Sequence, residues 1–222
     1  MNYSKTIICL ANSRKMSERC IAGLEFEGRQ VGGWIRPVSK RSEGEITAFD
    51  RSLENGAEPG LLDILRIPMI EPRPNGFQTE NHLIDNRFYW VKEGVFAKEN
   101  LLHYCEAPNP LWVNGFCSSN GINDRIPELM ASRLPNSLVL IEPQQLTIAV
   151  VRGYRGKLQI RAEFGVAVET YCLGVTDPAI EYHYRRMGEG RYTYPTRAAA
   201  CISIGEPFNA YCYKLVASII PL

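Results

Sequence analysis

The run from Gly33 to Arg41 holds the residues best suited to chemistry, an aromatic ring and several cations on one short segment. It reads Gly33-Trp34-Ile35-Arg36-Pro37-Val38-Ser39-Lys40-Arg41. On a strand, Trp34 and Arg36 share a face because successive side chains alternate. On a barrel surface the indole would stack on a base while the guanidinium reaches a phosphate. The alternative is structural, with Trp34 in the core and Arg36 as its salt-bridged neighbour.

A second polar segment follows the first apolar run. Asn12, Ser13, Arg14 and Lys15 come shortly after the strand-like residues 5–10. The cations can neutralise a phosphate backbone, and the amide and hydroxyl can donate in a fixed direction. We therefore expect a phosphate-contacting loop here. The alternative is a turn whose charges are merely solvated.

The second half of the chain repeats the mixture of cations and aromatic rings. Tyr154, Arg155, Lys157 and Arg161 surround a predicted hairpin tip. This is the composition that single-strand binders use, although charged hairpins are also common on ordinary surfaces. Lys214 is predicted as a further backbone contact, in a run that otherwise reads as a buried strand.

Templates for catalysis are missing from the sequence. There is no P-loop, no dinucleotide-binding G-x-G-x-x-G, no G-x-S-x-G, and no paired Cys or His at zinc spacing. The seven cysteines lack a C-x-x-C pair, which predicts free thiols in a reducing compartment. Glu80 and His82 could share a strand face as an acid–base pair, but so short a pair often arises by chance. We expect no catalytic residue, no metal and no cofactor.

Short strands must position these residues. Apolar, β-branched segments bounded by turns predict strands at residues 5–10, 31–38, 61–69, 137–142, 146–152, 157–164, 166–175 and 211–220. Residues 13–24 are compatible with either a helix or a strand. Residues 203–208 are predicted to form a polar loop, and residues 177–187 a helix. The result is a mainly β chain with a first barrel at residues 1–95, a connector at 96–136 and a second barrel at 137–222.

The composition is that of a folded globular protein. Hydrophobic residues make up 45% and charged residues 22% of the chain, which excludes a disordered tail or a fibrous repeat. No stretch approaches the roughly 20 apolar residues of a membrane helix, and the first apolar run is too short for a secretion signal. We expect a cytoplasmic protein that does not bind membranes.

The net charge of +1 argues against a protein that holds DNA by bulk charge alone. Both ends of the chain are basic and its middle is acidic, and this distribution allows a local basic groove.

Several blocks, in order along almost the whole chain, resemble the dual OB-containing domain family of prokaryotes. They are residues 9–15, 20–23, 33–39, 78–81, 175–178, 205–207 and 213–217. The resemblance implies two tandem OB-like barrels and a role in nucleic-acid recognition, often beside genes of conflict or mobile-element systems. Residues 203–207 depart from the family's Leu-containing version at Ile204, a change that should matter little.

These observations predict two tandem OB-like small barrels joined by a short helix-containing connector. The expected function is non-enzymatic binding of single-stranded or locally opened nucleic acid. The expected setting is a prokaryotic antiviral defence or mobile-element system, with a protein partner. The expected contacts are Asn12, Ser13, Arg14, Lys15, Trp34, Arg36, Lys40, Arg41, Tyr154, Arg155, Lys157, Arg161 and Lys214, with Trp34 and Tyr154 stacking on bases.

Two other functions stay open. One is an enzyme or sensor that acts on a nucleotide or modified base in a pocket between the halves. That pocket would gather Asn12, Ser13, Glu80 and Glu206. The other is an adaptor whose connector docks a partner protein.

Overall fold

The computed structural model describes residues 3–28, 30–153 and 156–222, which form two compact units. The first unit ends at Lys98 and the second begins at Glu99. The predicted connector is therefore not a separate segment, since from Glu99 onward it belongs to the second unit. Its apolar residues explain this, because Leu111, Ile126 and Ala131 are fully buried.

A closed ring of strands forms the first unit. Its strands are β1 (Tyr3–Lys15), β2 (Glu18–Glu27), β3 (Gln30–Val38), β4 (Asp63–Pro72), β5 (Asn81–Ile84) and β6 (Val91–Val95). The order is β1-β2-β3-β5-β4, and β4 pairs back onto β1 to close the ring, with β6 beside β4. The strands pair antiparallel except for β3 and β5, which run parallel. Apolar side chains including Ile7, Ile21, Leu65 and Trp90 form the core.

A bulge in β1 allows this one strand to close the ring. Residues 3–8 pair with β4 and residues 7–15 with β2, with the register shifting between Cys9 and Ala11. Gly23 faces the strand across this bend, and a Cβ there would lie 2.1 Å from the carbonyl oxygen of Ile8. The two backbones can approach this closely only because residue 23 has no side chain.

The 3₁₀ helix η1 (Lys98–Tyr104) begins at the last residue of the first unit and otherwise belongs to the second. Strand β7 (Arg125–Pro127) and the single-turn helix α1 (Glu128–Ala131) follow it. The later elements are β8 (Leu138–Ile141), β9 (Gln144–Arg152), β10 (Leu158–Val166), β11 (Glu169–Val175), α2 (Pro178–Met187), β12 (Gly190–Thr193), β13 (Ala198–Phe208) and β14 (Tyr211–Pro221). Strand β7 pairs with β14, so this segment is part of the second sheet.

The second unit repeats the strand order of the first. Strands β9, β10 and β11 form a meander, β11 runs parallel to β14, and β14 pairs with β13. Strand β12, a few residues before β13, pairs with β9 and takes the place of the closing strand. Helix α2 fills the connection between β11 and β12, and Asp177 caps it by accepting hydrogen bonds from the backbone amides of Ala179 and Ile180.

The mainly β prediction is confirmed, with corrections to three segments. Residues 12–15 are not a loop, because β1 continues to Lys15 through its pairing with β2. The ambiguous residues 13–24 are strand, as pairing with β1 and β3 dictates. The predicted polar loop at residues 203–208 is the end of β13, held by β14. No helix among the described residues has the length and apolar character needed to cross a bilayer.

Candidate nucleic-acid interface

A surface pocket of about 250 Å³ opens where two strands of the first unit end. Because β3 and β5 run parallel, Val38 lies beside Leu83 and both strands end at the same side of the barrel. The residues that follow line the pocket: Ser39, Lys40 and Arg41 after β3, and Ile84 and Asn86 around the end of β5. Two cations, a hydroxyl and an amide thus meet over one apolar side chain.

The buried carboxylate of Asp50 holds this end of the barrel together. Its Oδ2 accepts hydrogen bonds from Arg41 Nη1 at 2.5 Å, from the Thr47 amide at 3.0 Å and from the Thr47 hydroxyl at 2.7 Å. Its Oδ1 accepts one from Asn86 Nδ2 at 3.4 Å. Burial alone would raise the pKa of Asp50, but the hydrogen bonds from Thr47 and Arg41 outweigh it and hold the pKa below its usual value. The carboxylate therefore stays ionised and fixes the Arg41 guanidinium beside the pocket.

Three large aromatic side chains that are close in sequence to the residues of this pocket are exposed to solvent. Phe49 precedes Asp50 and is 70% exposed, while Phe88 and Tyr89 follow the pocket residue Asn86 and are each 58% exposed. The Arg87 guanidinium lies 5.7 Å from the centre of the Phe88 ring and pairs with the buried Asp85 at 2.6 Å. That hydrogen bond from Arg87 holds the pKa of Asp85 below its usual range. Exposed rings beside fixed cations are unusual on an ordinary surface, where such rings are normally buried.

The hairpin between β1 and β2 brings more cations to the same unit. Arg14 and Arg19 lie directly opposite each other across the two strands, and Lys15 lies opposite Glu18. The hairpin thus carries three cations, the kind of side chain that contacts a phosphate backbone. The backbone of Arg19 also pairs with that of Ile46, which joins this hairpin to the loop that carries Phe49.

Asn12 and Ser13 have structural contacts. The Asn12 amide donates to the Pro59 carbonyl oxygen at 2.9 Å, and the Ser13 hydroxyl donates to the Cys20 carbonyl oxygen at 3.3 Å. Ser13 is buried, and Asn12 is partly buried. These bonds tie β1 to its neighbours, so the two side chains are not presented to a phosphate as expected.

Arg36 is an interior residue, contrary to the expectation of a backbone contact. Its side chain is 4% exposed and its Nη1 lies 3.2 Å from Glu80 Oε1, whose side chain is equally buried. The Arg36 amide also donates to the Glu80 carbonyl oxygen. Arg36 is therefore a salt-bridged structural residue, and its partner is Glu80. Trp34, two positions earlier on the same strand, is half-buried.

In the second unit, Lys214 and Arg161 are also interior. Lys214 Nζ donates to the Val113 carbonyl oxygen at 2.7 Å and to Asn114 Oδ1 at 3.0 Å, and it lies over the Tyr171 ring. Arg161 Nη2 pairs with Asp124 at 2.7 Å and donates to the Cys172 carbonyl oxygen at 2.9 Å. Both side chains hold the segment before β7 against the barrel instead of facing solvent.

Near the predicted hairpin tip of the second unit, Lys157 is exposed. Its carbonyl oxygen accepts from the Gly153 amide and closes the turn. Tyr154 and Arg155 lie outside the described residues. Of the residues expected to form a nucleotide pocket, Asn12, Ser13 and Glu80 belong to the first unit and Glu206 to the second.

Comparison with family models returned one match, to the dual OB-containing domain, over residues 5–219. The chain belongs to the dual OB-containing domain family. No curated protein and no solved structure matches it. Each unit is therefore an OB-type barrel, as the resemblance implied. Two of the blocks that carried the resemblance, residues 33–39 and 78–81, meet through the Arg36–Glu80 pair.

Sequence reasoning missed several residues of this OB-type surface. Lys40 and Arg41 were predicted, but Asp50, Asn86 and the aromatic side chains around them were not. A signal was available in the run Asn86-Arg87-Phe88-Tyr89-Trp90, which places aromatic residues and a cation directly after a strand. The sequence does not reveal that Trp90 is fully buried while Phe88 and Tyr89 are not.

Proposed function

We propose that this protein is a non-enzymatic module that binds single-stranded or locally opened nucleic acid through its first OB-type barrel. The observation that carries the proposal is the exposure of Phe49, Phe88 and Tyr89 beside the Lys40–Arg41 pocket. Exposed rings supply stacking platforms for bases, and the cations supply contacts to the backbone.

The surface suits single strands better than duplexes. Aromatic side chains can stack only on bases whose faces are open, which a continuous duplex does not offer. The net charge of +1 gives no bulk attraction for a duplex. Recognition thus depends on local contacts, and a single strand can supply both bases and phosphates to them.

The topology of OB-folds also favours a binding surface on the first barrel that includes the loop between β1 and β2. OB-folds bind oligonucleotides through their second and third strands and the loops flanking them, including the loop between the first two strands. In the first unit that loop is flanked by Arg14, Lys15 and Arg19. The family resemblance adds a biological setting to the proposal, in which the module serves a prokaryotic defence or mobile-element system in the cytoplasm beside a protein partner.

The test is fluorescence anisotropy of labelled single-stranded DNA, single-stranded RNA and duplex DNA, with the wild type and the variants Phe49→Ala, Phe88→Ala and Tyr89→Ala. Stacking contributes roughly 1–3 kcal/mol per base, so each variant that removes a platform should weaken single-strand binding roughly 5-fold to 150-fold. All three side chains are mostly in solvent, so the variants should keep the wild-type unfolding midpoint.

Phe208→Ala is the matched control, since Phe208 is a 65% exposed phenylalanine in the second unit. Its affinity should equal that of the wild type. The proposal fails if no oligonucleotide binds, or if all three aromatic variants bind like Phe208→Ala. Mononucleotides that bind as tightly as oligonucleotides would favour a nucleotide sensor instead.

A further inference from the structure

We infer that the pocket lined by Ser39, Lys40, Arg41, Ile84 and Asn86 receives the terminal phosphate of a nucleic-acid strand, so that the protein recognises strand ends. This inference rests on the proposed function, because the strand must reach the pocket from the adjacent aromatic surface. It adds a specificity that stacking alone does not provide.

The lining residues supply the cations and hydrogen-bond donors that a phosphate needs. Lys40 and Arg41 supply charge, and Asn86 and Ser39 supply an amide and a hydroxyl. The Ser39 oxygen already accepts from the Arg41 amide at 3.2 Å, which leaves its own O–H to donate.

The charge at the pocket suits a phosphate monoester. A phosphodiester inside a strand carries one negative charge, whereas a terminal monoester carries about 1.5 to 2 at neutral pH. Asp50 pairs with Arg41 and Asp85 pairs with Arg87, so Lys40 supplies the net positive charge of the pocket. The Arg41 side chain is 42% exposed, and its remaining N–H groups can still donate. The Lys40 ammonium is exposed at the rim. A doubly charged end therefore gains more here than an internal phosphate.

The aromatic side chains are placed to hold the nucleotides next to that end. Phe49 is one residue from Asp50, and Phe88 is two residues from Asn86, which corresponds to at most about 7 Å of backbone. They lie outside the pocket lining. Phosphate and bases would thus bind to separate, neighbouring parts of one surface.

The experiment compares internally labelled oligonucleotides of about 12 nucleotides, within the site size of OB-folds, that differ only at their ends. One carries a 5′-phosphate, one a 3′-phosphate and one hydroxyls at both ends. A phosphorylated end should bind roughly 10-fold to 100-fold more tightly than the hydroxyl form, since it gains hydrogen bonds to charged groups. The 5′ and 3′ forms show which end enters the pocket.

Lys40→Gln and Arg41→Gln should each bring the ratio of affinities for the phosphorylated and hydroxyl forms close to one, although the lost cation also weakens binding of the hydroxyl form. Lys98→Gln is the matched control, because it removes an exposed lysine of the first unit that does not line the pocket, and it should keep the full preference. Equal affinity for all three ends would overturn the inference and leave the proposed function intact. Failure of every oligonucleotide to bind would overturn both.

Discussion

Lys214 shows how a single residue can be misjudged from its type. Its charge suggested a phosphate contact, yet it is fully buried and donates to the Val113 carbonyl oxygen and to Asn114. The residues around Lys214 did indicate that it is buried. Cys212 and Val216, two positions away on either side, are apolar, and alternation along a strand places all three on the same face.

The burial of Lys214 predicts a dependence of stability on pH. Burial lowers its pKa from 10.5 to about 8, against a smaller opposite effect of Asp124. Between these two values the folded chain has released a proton that the unfolded chain still holds. The free energy of unfolding should therefore gain up to about 1.4 kcal/mol per pH unit from this residue as the pH rises above 8.

Urea unfolding of the wild type and Lys214→Met between pH 7.5 and 10 measures this contribution. Other groups titrate in the same range, so the quantity to follow is the difference between the two proteins. That difference should move in favour of the wild type as the pH rises. Parallel pH profiles would show that Lys214 keeps an ordinary pKa.

The buried Arg36–Glu80 pair gives a second prediction for individual residues. Removing one partner leaves a charge without its counter-ion in the interior, which typically costs about 3–5 kcal/mol. Arg36→Met should lower the free energy of unfolding by about that amount, and the double variant with Glu80→Met should recover part of the loss. An Arg36→Met protein that keeps its stability but loses affinity for oligonucleotides would instead assign Arg36 to the interface.

At the scale of elements, the sequence predicted the presence of strands better than the residues at which the strands begin and end. Apolar runs such as residues 5–10 and 31–38 indicate strands because they are locally apolar and β-branched. The extension of β1 to Lys15 and the whole of β2 depend on pairing with neighbours distant in sequence. Polar residues at those positions carry no local preference for strand, so propensity could not find them.

Gly23 provides the test of the close approach between β1 and β2. A Cβ at this position would meet the Ile8 carbonyl oxygen at 2.1 Å, and this backbone atom cannot move aside as a flexible side chain could. Gly23→Ala should therefore lower the free energy of unfolding by about 3 kcal/mol or more.

Gly33→Ala is the matched control, since a Cβ at Gly33 meets nothing within 4 Å. It should unfold within about 0.5 kcal/mol of the wild type. Both values come from urea denaturation at one pH. If the two alanine variants proved equally stable, the backbones of β1 and β2 would have to lie farther apart than described.

At the scale of the whole molecule, composition and strand pattern were sufficient for the fold class. They were not sufficient for the site, which forms where the ends of β3 and β5 meet across more than 40 residues of intervening chain. The net charge of +1 hides the two cations that line the pocket at this end of the first barrel.

Salt dependence of binding follows from this local charge. If two to five of Arg14, Lys15, Arg19, Lys40 and Arg41 contact phosphates, the logarithm of affinity for single strands should fall with the logarithm of salt at a slope of roughly −1.4 to −3.5. Lys40→Gln should reduce the magnitude by about 0.7, and Lys98→Gln should leave it unchanged. Anisotropy titrations at several salt concentrations measure the slope, and an affinity indifferent to salt would contradict the assigned contacts.

The repeated strand order of the two units bears on the history of the chain. Both units share a three-stranded meander followed by a parallel pair, β3–β5 in one and β11–β14 in the other. No repeat is recognisable in the residues themselves. An ancient duplication leaves this pattern when its two copies diverge, because the strand pairing is kept while the side chains are substituted. The side chains of one copy could then change independently of the other, as the inward lysine of the second unit shows.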